Sequence, residues 1–380
     1  MAASRLRVLC VGRDLKGGGA ERLQLSLLRE LATDVDISVA YMSPEGQLQA
    51  EMDASWPVTY CAPSGDSLRW VAPAALWKIT RLLARHDVVF AMQDATPAYV
   101  SSLAASLANK PSVLWLHSLW PACLTSLARW HAPVAARLYP SFDRIVTVSE
   151  VAATSLTAWL PRLQTRVEVV PNFIDITRTE ALAQCPLPRQ WQHLGSQGPL
   201  VAVVGRLVAQ KRVDLVIRAM SALVRRVPTV RVAVVGDGPE RARLEALSEA
   251  LGVAHAIEFC GFQINPLPFV REAAAVCMPS RDESFGMVAL ESLALGKAVV
   301  TCDDSGGVLE VIDGGRFGHV SSPDPGALAH ALAQALVDAR SASTLSRQHV
   351  ERFALRGAVA RFVDILEQTA GLPAMKAVHA

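Results

Sequence analysis

The chain has 380 residues, of which 51% are hydrophobic, so it is long enough for two domains that each bury a large apolar core. Its 37 basic and 35 acidic side chains leave a formal net charge of +2, which gives no sign of a nucleic-acid-binding protein. Seven cysteines lie scattered without Cys-x-x-Cys pairs, and nine histidines show no ligand spacing. We therefore expect reduced thiols in a cytoplasmic protein, with no disulfide framework and no metal site. The apolar run at the N-terminus is too short for a signal peptide, and no apolar window is long enough to predict a membrane span.

The first half of the chain alternates apolar runs with amphipathic segments, which is typical of a parallel α/β sheet. The apolar runs predict buried strands at 6–11, 37–42, 58–61, 88–92, 112–116, 144–148 and 167–170. A glycine-rich loop follows the first strand and leads into a predicted helix at 20–31. Gly18 and Gly19 thus lie at a helix N-terminus, where free backbone amides suit a phosphate. The loop is not a dinucleotide fingerprint, because Arg22 stands where the pattern needs its third glycine.

His117 directly follows the strand at 112–116. A histidine at the carboxyl end of a strand can be a catalytic group, but taken alone it is equally well explained as an edge residue with satisfied hydrogen bonds. The residue type and position therefore leave both interpretations open.

Two segments of this half, 69–86 and 116–138, combine tryptophan with basic side chains. Basic amphipathic helices with tryptophan suit a membrane interface, although a core-facing helix with a solvated basic edge explains the same pattern. The residues concerned are Arg69, Trp70, Trp77, Lys78, Arg81 and Arg85 in the first segment and Trp120, Arg129, Trp130 and Arg137 in the second.

The second half repeats the alternation of strands and helices. Apolar runs predict strands at 200–204, 230–235, 274–278 and 297–302. Arg206 and Lys211 follow the first of these strands beside a glycine, ahead of a predicted helix at 213–227. Two cations at a strand end suit a phosphate clamp, and two exposed loop charges are the alternative.

The stretch 274–302 predicts a strand, a loop, a helix and a second strand. Glu283 lies in the loop, and Glu291 is the only charge in the otherwise apolar helix at 287–295. An unpaired buried carboxylate is costly, so either ribose hydroxyls satisfy Glu291 or its side chain reaches solvent at an edge. The helix starts after Gly286, which leaves backbone amides free for a phosphate or sugar oxygen.

The stretch 279–291 resembles a known family. Glu283 and Glu291, eight residues apart around Phe285-Gly286, resemble the paired-glutamate signature of retaining GT-B glycosyltransferases of family four. Further segments are similar to the same family, in the same order: GGGAER at 17–22, PNFID at 171–175 and GRLVAQKRVD at 205–214. The chain departs from the family at Phe173, Arg212 and Ser284, each of which stands where glycine is usual.

The resemblance implies an α/β fold of the GT-B type, with two Rossmann-like domains and a cleft between them. It implies a first domain at 1–173, with about 356–380 crossing back to it, and a nucleotide-sugar-binding domain at 174–355. It further implies catalytic roles for His117 and Glu283, diphosphate binding by Arg206 and Lys211, ribose binding by Glu291, and donor contacts from Gly18, Gly19, Phe285, Gly286, Met287 and Val288.

The resemblance also implies the reaction. A retaining hexosyl- or N-acetylhexosaminyltransferase would move a sugar from a nucleotide diphosphate sugar to a glycan or lipid-linked acceptor in bacterial polysaccharide, lipopolysaccharide or glycolipid synthesis. A UDP-sugar is favoured as donor and GDP-mannose is the alternative, with front-face attack and with no metal or other cofactor required. Contact with the inner face of the cytoplasmic membrane is a further hypothesis. The rival functions are a dinucleotide oxidoreductase, a nucleotide-sugar epimerase or hydrolase, and a non-catalytic sugar-nucleotide-binding module.

Overall fold

A computed structural model describes residues 5–16, 18–62, 68–125, 130–196, 198–338 and 343–371, with the side chains of 68–72, 124–125 and 343–346 also outside the description. The chain divides into two compact units. The first unit comprises the chain up to Phe173 and from Leu355 onward, and the second comprises Ile174–Ala354.

The first unit is built on a parallel sheet with the strand order β3-β2-β1-β4-β5-β6-β7 across the described residues. Its strands are β1 (Arg7–Gly12), β2 (Asp36–Tyr41), β3 (Val58–Tyr60), β4 (Val88–Ala91), β5 (Ser112–Leu116), β6 (Arg144–Thr147) and β7 (Val167–Val169). Its helices are α1 (Gly19–Asp34), α2 (Leu68–Leu83), α3 (Thr96–Ala108), α4 (His131–Leu138) and α5 (Glu150–Trp159). The strand order reverses between β1 and β4, and the carboxyl ends of such neighbouring strands form the usual ligand site of an open α/β sheet.

The last helix of the chain, α14 (Leu355–Thr369), belongs to this first unit. It packs against α1, β4 and β5, where Phe362 meets Phe90 and Trp115 at ring-centroid distances of 5.6 Å and 4.9 Å. The prediction that the C-terminal helix crosses back to the first domain is therefore confirmed.

The second unit repeats the architecture with the strand order β10-β9-β8-β11-β12-β13, again parallel in the part that the structure describes. Its strands are β8 (Leu200–Val204), β9 (Arg231–Val235), β10 (Ile257–Gly261), β11 (Ala275–Met278), β12 (Ala298–Cys302) and β13 (His319–Ser321). Its helices are α6 (Ile176–Ala183), α7 (Val213–Arg226), α8 (Arg241–Ala250), α9 (Leu267–Glu272), α10 (Met287–Ala294), α11 (Gly307–Val311), α12 (Pro325–Asp338) and α13 (Ser343–Val350). The order reverses between β8 and β11, so this sheet has its own switch point.

The structure corrects part of the predicted tryptophan-bearing surface. Trp120 is fully buried in the core that α4 covers, and Lys78 donates to the carbonyl oxygens of Tyr60 and Cys61 at 3.0 Å and 3.3 Å. Neither side chain is free to meet another surface. Trp77 is exposed as predicted, whereas Arg129 and the side chains of residues 69 and 70 lie outside the described residues. Among the described residues, no helix has the length and apolar character that crossing a bilayer requires.

Candidate active site

The switch point of the second unit brings two of the predicted cations to one edge. Gly205 and Arg206 follow β8, and Pro279 and Ser280 follow the neighbouring strand β11. These residues and Lys211 line a common small cavity at the carboxyl ends of the two strands. The Arg206 side chain is exposed, and within the described ranges it makes no hydrogen bond or ion pair. Its guanidinium is therefore available to an anion that enters at this edge.

Lys211 and Glu283, which the sequence places 72 residues apart, form an ion pair. Their side chains are only 22% and 13% exposed, so the pair is largely withdrawn from solvent. The loop that carries Glu283 is fixed by its backbone, because the Glu283 N–H donates to Ser305 O at 3.1 Å and its carbonyl accepts from Gly307 N–H at 2.8 Å. The predicted diphosphate and sugar residues are thus adjacent in this unit.

Two glycines make the close packing of this loop feasible. Gly286 has a φ of 102°, and a Cβ there would lie 2.7 Å from Val308 Cγ2. At Gly307 a Cβ would lie 2.4 Å from the carbonyl oxygen of Ser284. A side chain at either position would push the loop off α11, so glycine is required to keep Glu283 next to Lys211.

Helix α10 begins directly after Gly286, and no side chain caps its N-terminus. The amides of Met287 and Val288 lie in its first turn, where an α-helix has no intrahelical partner for its N–H groups. Phe285 is buried and makes an edge-to-face contact with Phe353 at 5.8 Å. Its ring therefore anchors the loop, and only its backbone is left for a ligand. Glu291 lies one turn further along and is partly buried.

His117 lies in the first unit, at the carboxyl end of β5. Its Nε2 lies 3.1 Å from the carbonyl oxygen of Met92, and a carbonyl only accepts, so Nε2 carries the proton. The neutral ring therefore presents Nδ1 as a hydrogen-bond acceptor. Packing against Trp115, with ring centroids 4.3 Å apart, buries most of the imidazole, and this desolvation lowers its pKa to about 4. His117 is thus uncharged near neutral pH.

Two buried polar residues behind His117 were missed at the level of sequence. Gln24 donates to the same Met92 carbonyl at 3.0 Å, and the buried Glu21 accepts from Gln93 Nε2 at 3.0 Å. Gln24 lies on the buried, leucine-rich face of α1, three residues before Leu27. A polar residue on an apolar helix face could have indicated Gln24 from the sequence. Gly18 is the N-cap of the same helix, and both Gly18 and Gly19 are exposed.

The predicted site residues therefore fall into two groups. In the second unit Arg206 and Lys211 line one cavity, and Lys211 pairs with Glu283 in the loop that leads into α10. His117, Gly18 and Gly19 belong to the first unit. Within the described part of the chain, no group of three or more His, Cys, Asp or Glu side chains is arranged to hold a metal ion.

Two Rossmann-like units, each with a switch point, define the GT-B class of fold, and solved structures support this classification. The chain is similar to Anabaena Alr3699/HepE, solved in complex with UDP and glucose, with a TM-score of 0.81 and 20% identity over 96% of this chain and 100% of that one. It is also similar to WaaG, a glycosyltransferase involved in lipopolysaccharide biosynthesis, with a TM-score of 0.70 and 18% identity over 95% of this chain and 99% of that one. At these identities the likeness concerns the fold.

Family models match most of the sequence. The model of Glycosyltransferase Family 4 matches residues 17–178, and that of Glycosyl transferases group 1 matches residues 189–352. The chain belongs to glycosyltransferase family 4. A D-inositol 3-phosphate glycosyltransferase of Salinispora tropica is 34% identical over 243 residues, which are 59% of this chain and 50% of the relative. A 2-deoxystreptamine glucosyltransferase of Streptomyces kanamyceticus is 33% identical over 196 residues, 49% of each chain. The chain thus spans about half the length of these curated relatives.

Proposed function

We propose that this family member is a retaining glycosyltransferase that moves a sugar from a nucleotide diphosphate sugar to a glycan or lipid-linked acceptor. The observation that carries the proposal is the edge of the second unit. There the exposed Arg206 lines the same cavity as Lys211, and Lys211 pairs with Glu283 in the loop that leads into α10. Cations and free amides suit a diphosphate, and a carboxylate beside them suits sugar hydroxyls.

The charges at this edge fit the chemistry of sugar transfer. Breaking the bond between the sugar and the diphosphate places additional negative charge on the leaving phosphate. Arg206, Lys211 and the amides of Met287 and Val288 would stabilise that charge, and no metal ion is needed for the task. Glu283 would accept hydrogen bonds from the sugar as it becomes oxocarbenium-like, and Glu291 would bind the ribose.

The neutral form of His117 fits a binding role better than that of an acid. Its Nδ1 accepts, so its partner on the substrate must donate, which a sugar hydroxyl does. A UDP-sugar is the favoured donor, because the similar Anabaena structure is a complex with UDP. GDP-mannose is the alternative donor, and the transferred group would be a hexose or an N-acetylhexosamine.

The test is a transfer assay with a panel of radiolabelled UDP-, GDP- and dTDP-sugars and a mixed glycan and glycolipid acceptor preparation. We expect one labelled product for the wild type and none for Glu283→Gln, with the anomeric configuration of the donor retained by NMR. Release of free sugar alone would identify a hydrolase, and conversion of the donor to its epimer an epimerase. Binding without turnover of any donor would leave a sugar-nucleotide-binding module.

The acceptor side of the proposal includes docking on an anionic membrane surface. Among the described residues of the first unit, the large hydrophobic side chains that are exposed all lie in one layer of packed helices: Trp77 on α2 (59% exposed), Leu103 and Leu107 on α3 (42% and 68%) and Trp130 before α4 (48%). The sequences of α2, α3 and α4 contain no Asp or Glu. This helical layer therefore combines apolar side chains with an absence of acidic charge.

Basic side chains accompany the apolar ones. The Arg81 guanidinium lies 4.8 Å from the centroid of the Trp77 ring. Arg85, just after α2, and Arg137, on α4, are also exposed. Three basic residues contribute about 3 kcal/mol of attraction near an anionic surface, at about 1 kcal/mol each. Insertion of Trp77 and Leu107 would add a hydrophobic contribution.

Vesicle co-sedimentation tests this docking. Wild type is expected to pellet with phosphatidylglycerol vesicles and to remain soluble with phosphatidylcholine, whereas Trp77→Ser/Leu103→Ser/Leu107→Ser should remain soluble with both. Leu251→Ser/Val337→Ser, which removes exposed apolar side chains from the second unit, is the matched control and should behave like wild type. Wild type that stays in the supernatant with both lipids contradicts docking, and a soluble sugar acceptor then becomes the better hypothesis.

A further inference from the structure

Backbone conformation singles out two residues next to the Lys211–Glu283 pair. In the described part of the second unit, the non-glycine residues with positive φ are Arg212 (47°), Asp282 (54°) and Asp313 (50°). Residues with a Cβ rarely adopt this region, and such backbone strain concentrates at functional sites. Two of the three directly adjoin the paired residues, since Arg212 follows Lys211 and Asp282 precedes Glu283.

A bidentate ion pair holds Arg212 in this conformation. Its Nη1 and Nη2 donate to the two carboxylate oxygens of Asp304 at 2.8 Å and 2.7 Å, and the Arg212 side chain is 19% exposed. Asp304 lies 92 residues further along, in the loop that joins β12 to α11. The contact therefore ties together two loops at the carboxyl edge of the sheet.

A third loop closes the connection, and it is the loop that carries Glu283. The Asp304 carbonyl accepts from Asp282 N–H at 3.2 Å, and the adjacent Ser305 carbonyl accepts from Glu283 N–H at 3.1 Å. On the other side, Gln210 Nε2 donates to Asp282 O at 3.1 Å, and Gln210 O accepts from Arg281 N–H at 3.0 Å. The loops at 209–212, 281–283 and 303–307 thus form a closed ring of contacts.

We propose that the Arg212–Asp304 contact is a positioning brace, which keeps the side chains of Lys211 and Glu283 correctly placed relative to each other for the transfer reaction; this inference rests on the proposed function. Arg212 is one residue from Lys211 and restrains its backbone directly. Asp304 restrains Glu283 through the backbone hydrogen bonds of Asp282 and Glu283. Neither Arg212 nor Asp304 needs to touch the donor, and the planar guanidinium supplies a directional contact that lysine cannot reproduce.

The experiment separates positioning from simple stabilisation. In Arg212→Gly the glycine relieves the positive φ, which offsets part of the stability lost with the contact. We therefore expect little change in Tm but a fall in kcat of about tenfold or more, with a much smaller change in donor KM, because misplaced catalytic groups slow turnover of a bound substrate. Asp304→Asn should give a similar fall and the double variant no further fall, while Arg212→Lys should be intermediate.

Arg347→Ala is the control, because it removes a guanidinium that pairs with Glu180 at 2.8 Å, between α13 and α6. Hydrogen–deuterium exchange supplies a readout that is independent of activity: the amides of Asp282, Glu283 and Gly307 should exchange faster in Arg212→Gly than in wild type or the control. If kcat and amide exchange in Arg212→Gly match the control, the brace is refuted. If the wild type transfers no sugar from any donor, the proposed function fails, and the exchange data alone decide whether the brace orders these loops.

Discussion

Replacing Glu283 by glutamine should separate binding of the nucleotide from transfer of the sugar. In the structure the Glu283 carboxylate pairs with Lys211, the ammonium group that we expect to bind the diphosphate. A bound diphosphate must therefore share Lys211 with Glu283 and must tolerate a second negative charge nearby. Glutamine keeps the size and one acceptor oxygen of the side chain but removes that charge, so UDP should bind more tightly while turnover is lost.

The size of the effect follows from Coulomb's law. Two unit charges about 5 Å apart repel each other by about 3 kcal/mol at an effective dielectric constant of about 20. Lys211 lies against the carboxylate and offsets part of this repulsion, and salt screens a further part. We therefore expect a net gain of about 1.4 kcal/mol in binding free energy, which corresponds to about tenfold tighter UDP binding.

Calorimetric titration of UDP into wild type, Glu283→Gln and Glu180→Gln measures this difference. Glu180 is the matched control, because it also forms an ion pair within the second unit, with Arg347, but lines a different cavity from Lys211. The gain in affinity should shrink as salt is raised, and uridine should bind equally to all three proteins. Weaker UDP binding to Glu283→Gln would show that Glu283 supports the diphosphate site, and it would refute the competition argued from the ion pair.

Three further predictions concern the proposed donor site and His117. Arg206→Ala should weaken UDP binding by about 1.5–3 kcal/mol with little effect on uridine, because a charge-assisted contact is lost; the nearby Arg281→Ala is the control, and equal losses for both ligands in calorimetry would place the phosphate clamp elsewhere. EDTA should leave transfer unchanged, and complete loss that magnesium or manganese restores would contradict this. Burial lowers the pKa of His117 to about 4 from an ordinary value near 6.5, so between these values the unfolded chain takes up a proton that the folded protein does not. The stability is therefore fully present above pH 6.5 and is lost as the pH falls through 4. In urea titrations the free energy of unfolding of the wild type should therefore decline by up to about 3 kcal/mol between pH 6.5 and 4, and that of His117→Asn should lack this decline. The same dependence on pH in both proteins would contradict the prediction.

The strands were predictable because parallel strands covered on both faces are continuous apolar runs. The runs at 112–116 and 200–204 coincide with β5 and β8, and most other ends differ by one residue because a strand ends where its hydrogen bonds do. Two strands, β10 and β13, were not predicted. Glu258 interrupts the apolar run of β10, and the three residues of β13 form no distinct apolar run.

The site was predictable only in part. Arg206 and Lys211 were singled out by their residue types and their places after a strand, and Glu283 by the resemblance to the family; their binding roles remain predictions. The contact that joins Arg212 to Asp304 spans 92 residues, and no local periodicity encodes a contact of that range. Lys78 shows the converse limit. Its place in the helix predicts a solvated basic edge, yet its ammonium group donates to the backbone carbonyls of Tyr60 and Cys61 at the end of β3.

The protonation state of His117 bears on how an acceptor hydroxyl loses its proton. A base with a pKa of about 4 takes up a proton only weakly near neutral pH, and its Nε2 already donates to the Met92 carbonyl. The neighbouring carboxylate of Glu21 is buried and accepts from Gln93, so it does not supply a free base either. In the second unit Glu283 is paired with Lys211. Neither His117 in the first unit nor Glu283 in the second therefore offers an unpaired strong base near neutral pH.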